Sequence, residues 1–112
     1  MKIATWNVNS VRSRLERLTN FLFRHQPDIV CLQELKCLEE VFPYNEIRAA
    51  GYFAAVHGQK TYNGVAVLSR EEADEIRCGF EDNVEDSEAR LIRVRFGNMQ
   101  VISVYVPNGS EI

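Results

Sequence analysis

The sequence predicts an α/β fold in which a mixed β-sheet carries helices on one face. A short β-favouring segment (residues 2–7), a stretch with helical spacing and an unbroken apolar run (residues 28–34) follow one another. Strand, helix and strand in that order form a right-handed βαβ unit, and an unbroken apolar strand is typical of one covered on both faces. The rest of the 112 residues is dominated by strand patterns, and 46% hydrophobic residues suffice for one domain with a core.

The first helix is predicted between these two strands. Ser13 and Glu16 fit a capping box, which would begin the helix at Ser13. Pro27 cannot continue helical hydrogen bonding, so the helix should end near His25. The apolar residues that recur at helical spacing are Val11, Leu15, Leu18 and Leu22.

A second helix is predicted over residues 43–50, ended by Gly51, and β patterns follow it. Gly97-Asn98 separates two runs that should form a hairpin. The acidic segment 81–88 is interpreted as a solvated turn. The predicted total is six or seven strands with two helices, the later strands being residues 52–57, 65–69, 75–80, 90–96 and 99–106.

Charge, the start of the chain and cysteine content argue against nucleic-acid binding by bulk charge, against a membrane location and against a site built from paired cysteines. Thirteen basic against 16 acidic residues give a net charge of −3, so any nucleic-acid binding must be local rather than driven by bulk charge. The start of the chain lacks the apolar run of a signal peptide or a membrane span, so a cytoplasmic location without a membrane partner is expected. Cys31, Cys37 and Cys78 form no C-x-x-C pair and are predicted to be reduced thiols.

Two polar residues are placed where a ligand site is expected. Asn7 and Glu34 each stand at the carboxyl end of a strand of the βαβ unit, so both should emerge at one rim of the sheet, where open α/β sheets bind ligands. A carboxylate beside an amide oxygen suits Mg²⁺. The alternative is that Asn7 caps the following turn and Glu34 is a solvated strand end. His25 and His57 are not expected to be catalytic bases.

Five segments carry a resemblance to a known family. In their order and separation they resemble the exonuclease III and apurinic/apyrimidinic endonuclease family. The resemblance covers essentially the whole chain but less than half of a family member. The segments are Trp6-Asn7-Val8-Asn9-Ser10-Val11-Arg12, Leu32-Gln33-Glu34-Leu35-Lys36, His57-Gly58-Gln59-Lys60, Tyr62-Asn63-Gly64-Val65-Ala66-Val67-Leu68-Ser69 and Tyr105-Val106-Pro107-Asn108-Gly109.

The resemblance implies that residues 1–112 are the amino-terminal half of such a domain, and thus half of a four-layer α/β sandwich of two packed sheets with helices outside. It implies Mg²⁺, with Mn²⁺ as a possible substitute, and double-stranded DNA with abasic sites or 3′ ends as substrate. The implied reactions are cleavage on the 5′ side of an abasic site, 3′-exonuclease activity and 3′-phosphatase activity.

The resemblance also assigns roles to particular residues. Glu34 matches a metal-binding glutamate, and Asn7 matches an asparagine that helps to order the metal. Tyr105 matches a tyrosine facing the scissile phosphate, where a phenol can donate a hydrogen bond to developing charge; packing in the core is its alternative. Residues matching the DNA side, each with a solvated surface position as alternative, are Arg12, Tyr62, Asn63, Arg90 and Asn108.

Other elements of the family's active site have no match. A Gly-Asp-x-Asn segment and a late Asp-His pair are absent, and the last aspartate is Asp86 and the last histidine His57. We therefore expect the 112-residue chain to be nearly inactive alone, because losing a general base costs about 10² to 10⁴ in rate. Apolar runs at residues 29–32, 65–68 and 101–106 predict a sheet face left uncovered by two helices, for which either a carboxyl-terminal half or a second copy is the expected partner.

Three functional hypotheses remain at this stage. The first is that the chain is part of a whole repair nuclease. The second is a non-catalytic DNA-binding or self-associating module derived from the same family. A relative that cuts other phosphodiesters, in lipids or poly(A), is disfavoured by the segments at His57 and Tyr105.

Overall fold

A computed structural model describes residues 1–79 and 89–106 of the chain. A single 3₁₀ turn, Glu39–Val41, precedes the second helix. The described helices and strands are β1 (Ile3–Asn7), α1 (Leu15–His25), β2 (Ile29–Gln33), α2 (Tyr44–Ala49), β3 (Phe53–His57), β4 (Val65–Ser69), β5 (Glu75–Cys78), β6 (Leu91–Phe96) and β7 (Met99–Val104).

The strands form two sheets. The mixed sheet has the order β1-β2-β4-β3, with β1 parallel to β2 and the other pairs antiparallel. The antiparallel sheet has the order β5-β6-β7. The predicted βαβ unit and the predicted hairpin across Gly97-Asn98 are both confirmed. Within the described residues seven strands are present, as the upper count predicted.

The inner strands β2 and β4 of the mixed sheet are covered on both faces within this chain, whereas one face of the edge strand β1 is exposed. Helices α1 and α2 place Leu18, Leu22 and Ile47 on one face, as predicted. The antiparallel sheet packs Ile92 and Val94 against the other face. The expectation that β2 and β4 leave a face uncovered is therefore wrong, because the hairpin folds back over them. Each apolar side chain so buried contributes about 1.5 to 3 kcal/mol.

Exposed apolar side chains remain on the antiparallel sheet. Ile102 and Val104 are 47% and 45% exposed, and they alternate along β7 with residues that face the core. Val106, just beyond the strand, is 78% exposed. Of the three apolar runs for which an uncovered face was predicted, only residues 101–106 therefore have one.

The capping box predicted at Ser13 is wrong. Helix α1 begins at Leu15, and its first flanking residue, Arg14, makes no side-chain cap. The Ser13 amide instead donates to the hydroxyl of Ser10 at 3.3 Å. Val11, the residue after Ser10, explains this difference. Its amide donates to the carbonyl of Leu35 at 3.0 Å, which fixes a turn ahead of the helix.

The remaining boundaries agree with the sequence within a few residues. Helix α1 ends at His25, and Gly51 after α2 has φ +96°, which favours glycine. Cys31, Cys37 and Cys78 are free thiols, as predicted. Within the described residues no helix is long and apolar enough to cross a membrane. The acidic segment 81–88 and the end of the strand predicted over 75–80 lie outside the described residues.

Candidate functional site

Two predicted site residues lie at the same end of the mixed sheet. Asn7 is the last residue of β1 and pairs with Gln33, the last residue of β2. Glu34 follows directly after Gln33. The parallel register therefore brings Asn7 and Glu34 to one rim, which we call the site rim: the end of the mixed sheet at which β1 and β2 finish.

Tyr105 reaches the site rim from the antiparallel sheet. Its hydroxyl donates a hydrogen bond to Oε1 of Glu34 at 3.2 Å, and its backbone amide donates to the carbonyl of Arg90 at 2.8 Å. Partial burial raises the pKa of Tyr105, the negative charge of Glu34 and their hydrogen bond raise it further, and the Arg90 guanidinium opposes these effects. The phenol is therefore protonated at neutral pH and acts as a donor.

Glu34 and its neighbours have an unusual backbone conformation. Non-glycine residues with positive φ are uncommon, and such conformations are concentrated at active sites. Hydrogen bonds hold this backbone, because the amide of Ser10 donates to the carbonyl of Glu34 at 2.8 Å and that of Lys36 to the carbonyl of Asn63 at 3.0 Å. The described residues include seven non-glycine residues with positive φ. Six of them lie at this rim: Asn9, Ser10, Glu34, Lys36, Thr61 and Asn63.

Gly64 permits the close packing of these segments. A side-chain carbon there would lie 2.9 Å from Cβ of Leu35, and its φ of +93° is one that other residues rarely adopt. The amide of Leu35 also donates to the Gly64 carbonyl at 3.1 Å. The segment after β2 and the loop before β4 are thus fixed against each other.

Asn7 takes part in a local polar network. Its Oδ1 accepts from the amide of Asn9 at 3.2 Å, so the alternative role of capping the following turn is present. Lys36 Nζ donates to Oδ1 of Asn9 at 2.5 Å, which adds a positive charge to the rim. The Asn7 side chain is exposed, and its oxygen has a second lone pair free for another partner. Sequence reasoning noted Lys36 only as part of a matching segment.

The donor atoms at the rim fit Mg²⁺. Glu34 and Asn7 offer carboxylate and amide oxygens, and Mg²⁺ is typically bound by one or two carboxylates with waters and substrate phosphate completing its shell. Across residues 1–79 and 89–106 no group of three or more His, Cys, Asp or Glu could hold a metal. The rim thus offers part of a coordination shell of hard oxygen ligands.

The two histidines lie apart from Glu34 and Tyr105. His25 packs against Phe21 at the end of α1, with 5.0 Å between ring centroids. His57 ends β3, which β4 separates from β2, and its Nδ1 lies 3.8 Å from Oε1 of Glu39.

Of the residues predicted to face DNA, four are described. Arg12 is exposed in the turn after β1, close enough to Cys37 for its charge to offset part of the burial that raises the pKa of this thiol. Tyr62 is 67% exposed. Arg90 lies beside Tyr105, as its effect on the tyrosine pKa indicates. Asn108 lies outside the described residues.

Asn63, the fourth of these residues, is only 9% exposed. Its Nδ2 donates to Oε1 of Gln59 at 3.1 Å. Gln59 was not predicted as a site residue, although it lies within a matching segment. The structure thus joins Tyr105 to Glu34 by a hydrogen bond and places Asn7 at the same rim, with Arg90 beside Tyr105.

This fold and site define a class of protein. Residues 4–110 match the Endonuclease/Exonuclease/phosphatase family, and the chain belongs to that family. The resemblance identified from its motifs is thereby confirmed.

Two individual relatives show which members of the family the chain is similar to. Exodeoxyribonuclease III of Haemophilus influenzae is 39% identical over 115 residues, which cover 99% of this chain and 43% of the relative. DNA repair nuclease APEX1 of Danio rerio is 32% identical, with 99% of this chain and 37% of the relative covered. The chain thus spans about two fifths of the length of the curated relatives it matches.

Solved structures show the same fold. The 3′ phosphatase NExo from Neisseria, bound to product DNA hairpin, matches with a TM-score of 0.92 and 41% identity, over 97% of this chain and 42% of that one. An AP endonuclease from Archaeoglobus fulgidus matches with a TM-score of 0.90 and 41% identity, over 96% and 41%. The predicted α/β fold class is confirmed.

Proposed function

We propose that this chain is the amino-terminal part of a Mg²⁺-dependent DNA-repair nuclease that hydrolyses phosphodiesters at abasic sites and at 3′ ends. One observation carries the proposal: the Tyr105 hydroxyl donates to the Glu34 carboxylate at 3.2 Å, at the rim where Asn7 also ends its strand. A metal-binding carboxylate and a phenol donor are therefore within reach of one phosphate group. The names of the relatives agree with DNA as the substrate.

Each residue of the trio has a distinct part in this proposal. Oε1 of Glu34 accepts the bond from Tyr105, which leaves the other oxygen for the metal, and Oδ1 of Asn7 has a free lone pair. Magnesium, when bound there, supplies Lewis-acid polarisation of a phosphate oxygen. Mn²⁺ prefers the same oxygen ligands and is the expected substitute.

Tyr105 supplies a proton donor toward the substrate. Because its pKa is raised, the phenol keeps its proton at neutral pH. The hydroxyl hydrogen would turn from Oε1 of Glu34 toward a phosphate oxygen as negative charge develops there. A single donor of this kind contributes about 10² to 10³ in rate.

DNA binding is proposed to be local to the site rim, since the net charge is −3. Positive charge comes from Lys36 beside Asn9, Arg90 beside Tyr105 and Arg12 near Cys37. Tyr62, which is 67% exposed, would pack against the duplex beside the lesion. Asn108, which lies outside the described residues, is proposed from the resemblance alone as a further DNA contact. Such contacts predict binding that weakens steeply with salt.

The 112-residue chain alone is proposed to be nearly inactive. After Tyr105 the sequence contains neither aspartate nor histidine, and so lacks the general base that the resemblance implies. The remaining part of a family domain would supply that base and cover Ile102, Val104 and Val106.

Cleavage assays test this proposal. The full-length polypeptide and the 112-residue chain would each be incubated with an abasic duplex, a duplex with a recessed 3′ end and a 3′-phosphorylated duplex. We expect cleavage by the full-length polypeptide with Mg²⁺ or Mn²⁺, none with EDTA, and almost none from the 112-residue chain. Equal activity of both chains would contradict the proposed incompleteness, and inertness of the full-length polypeptide on every substrate would contradict the function.

A second candidate is a non-catalytic module that self-associates, and the exposed apolar row on β7 favours it. The three side chains are 45% to 78% exposed, and covering them would remove further apolar area from water. Sedimentation of the 112-residue chain tests this reading: concentration-dependent dimers support it, and a stably folded monomer counts against it.

A further inference from the structure

One loop joins the two halves of the candidate site through the side chain of Gln59. Its Oε1 accepts two hydrogen bonds, from the Ala89 amide at 2.7 Å and from Nδ2 of Asn63 at 3.1 Å. The Gln59 backbone amide donates to the carbonyl of Cys37 at 3.0 Å. An amide oxygen has two lone pairs, so the acceptor capacity of Gln59 is fully used.

The first of these bonds leads to Tyr105. Ala89 is 1% exposed, and the next residue, Arg90, accepts the backbone amide of Tyr105 at 2.8 Å. Ala89 is itself held from the other side, because its carbonyl accepts the amide of Gly64 at 2.8 Å. Gln59 therefore fixes the segment against which the backbone of Tyr105 is aligned.

The second bond leads to Glu34. Asn63 is 9% exposed, and its carbonyl accepts the amide of Lys36, two residues after Glu34, at 3.0 Å. Asn63 has φ +53° and Glu34 has φ +56°, so both backbones need support from their surroundings. Together the two bonds join the segment that carries Glu34 to the segment that aligns Tyr105.

A purely structural role would be the simpler explanation, but the location of the bonds argues for more. Their donors belong to buried residues, where a hydrogen bond is stronger and its loss more costly than in water. The ring that they complete closes through the Tyr105–Glu34 hydrogen bond itself. A shift of the Ala89 segment would therefore change the distance between the two proposed reacting groups.

We propose that Gln59 is a positioning residue that sets the placement of Tyr105 relative to Glu34 by accepting hydrogen bonds from Ala89 and Asn63. This inference rests on the proposed nuclease function. It also assigns the Asn63 side chain to the support of its own loop, and leaves Tyr62 as the member of that loop that contacts DNA.

The test compares two replacements of Gln59 in the full-length polypeptide. Gln59→Glu keeps an acceptor oxygen at the same distance, whereas Gln59→Met keeps the length and removes the acceptor. We expect kcat on an abasic duplex to fall about 10- to 100-fold in Gln59→Met, the range for loss of residues that orient a metal site, with KM nearly unchanged. Gln59→Glu should restore most of kcat. Glu16→Met, at an exposed side chain of the same length on helix α1, is the control and should behave as wild type.

Three results would overturn the proposal. The first is wild-type kcat in Gln59→Met, and the second is an equal loss of kcat in both replacements. The third is a variant whose melting temperature is lowered and whose kcat falls only at temperatures where it unfolds. If Gln59→Met does not fold, Asn63→Ala removes one donor and should lower kcat less but in the same direction. An increase in KM alone would instead make Asn63 a DNA contact and contradict the assignment.

A readout independent of activity separates this proposal from the proposed function. The Ala89 amide should lose protection from hydrogen exchange in Gln59→Met and keep it in Gln59→Glu. If the wild-type full-length polypeptide cleaves no DNA, the function fails, while this pattern still supports the positioning of the segment. Unchanged exchange at Ala89 in Gln59→Met would overturn the positioning itself.

Discussion

The two ends of the mixed sheet differ in how their polar groups are used. At the site rim, six non-glycine residues have positive φ, and the side chain of Asn7 is exposed. At the opposite end, Gln26 after helix α1 is the one non-glycine residue described with positive φ. Left-handed conformations cost on the order of 1 kcal/mol each, so the strain is concentrated where the candidate site lies.

At the opposite end of the mixed sheet, hydrogen bonds hold helix α1 and the segment after it to the rest of the fold. The Lys2 amide donates to Oδ2 of Asp28 at 2.7 Å, and Lys2 Nζ donates to the carbonyl of His25 at 2.6 Å. The buried Tyr52 hydroxyl donates to the carbonyl of Pro27 at 2.5 Å. Each of these bonds ties the residue that precedes a strand to the end of α1 or to the segment after it. The contrast teaches that one end stabilises the molecule and the other holds exposed donors in a strained arrangement.

The largest effect is expected from Glu34→Gln in the full-length polypeptide. If Glu34 holds the metal as proposed, its loss removes several kcal/mol of transition-state stabilisation, or about 10³ in kcat. Cleavage rates across a Mg²⁺ titration measure it. Glu72→Gln, an exposed carboxylate beyond the opposite end of β4, is the control and should retain wild-type rates. Equal losses in both variants would break the contrast between the two ends.

Tyr105→Phe is expected to have the second-largest effect. It removes the donor directed at Glu34 and at the proposed phosphate, so kcat should fall about 10²-fold. The melting temperature should change little, because the side chain is only partly buried. Steady-state kinetics and thermal unfolding of the same samples measure both. A variant that unfolds early while its low-temperature kcat stays at wild type would make Tyr105 a core residue.

Tyr52→Phe tests the opposite end with the same chemical change. The buried carbonyl of Pro27 would lose its partner, which costs about 1 to 3 kcal/mol of stability. Denaturant unfolding measures this loss, and kcat below the transition should match wild type. A clear fall in kcat in Tyr52→Phe would show that the two ends are coupled.

Most of the secondary structure was predictable because hydrophobic periodicity determines it. The meeting of Asn7 and Glu34 followed from a topological rule for parallel strands. The cover of the mixed sheet by the hairpin was missed, since alternation in residues 90–106 shows that one face is buried but not against which layer. The predicted cap at Ser13 failed because a tertiary bond between Val11 and Leu35 outweighed a local motif.

The candidate site was predictable only in part. Tyr105 was identified by resemblance alone, because nothing in a strand pattern distinguishes a core tyrosine from a functional one. The left-handed residues Asn9 and Lys36 were missed because neither is a glycine. Gln59 was missed because its partner Ala89 is thirty residues away along the chain, and local patterns carry no information about such a contact.

The smallest effect is expected in the alkaline titration of Tyr105. Burial and the Glu34 charge raise its folded pKa above the ordinary value of 10.0. As pH rises, the unfolded state therefore loses this proton at a lower pH than the folded state does. The stability that the neutral phenol contributes is fully present below the ordinary pKa and is lost as pH rises through the folded pKa. Phenolate absorbance, taken as wild type minus Tyr105→Phe, isolates this group. Glu34→Gln should lower the pKa of Tyr105 toward its ordinary value, and Glu72→Gln should leave it unchanged. A phenol that titrates at its ordinary value in the wild type would mean that the Tyr105–Glu34 bond does not persist in solution.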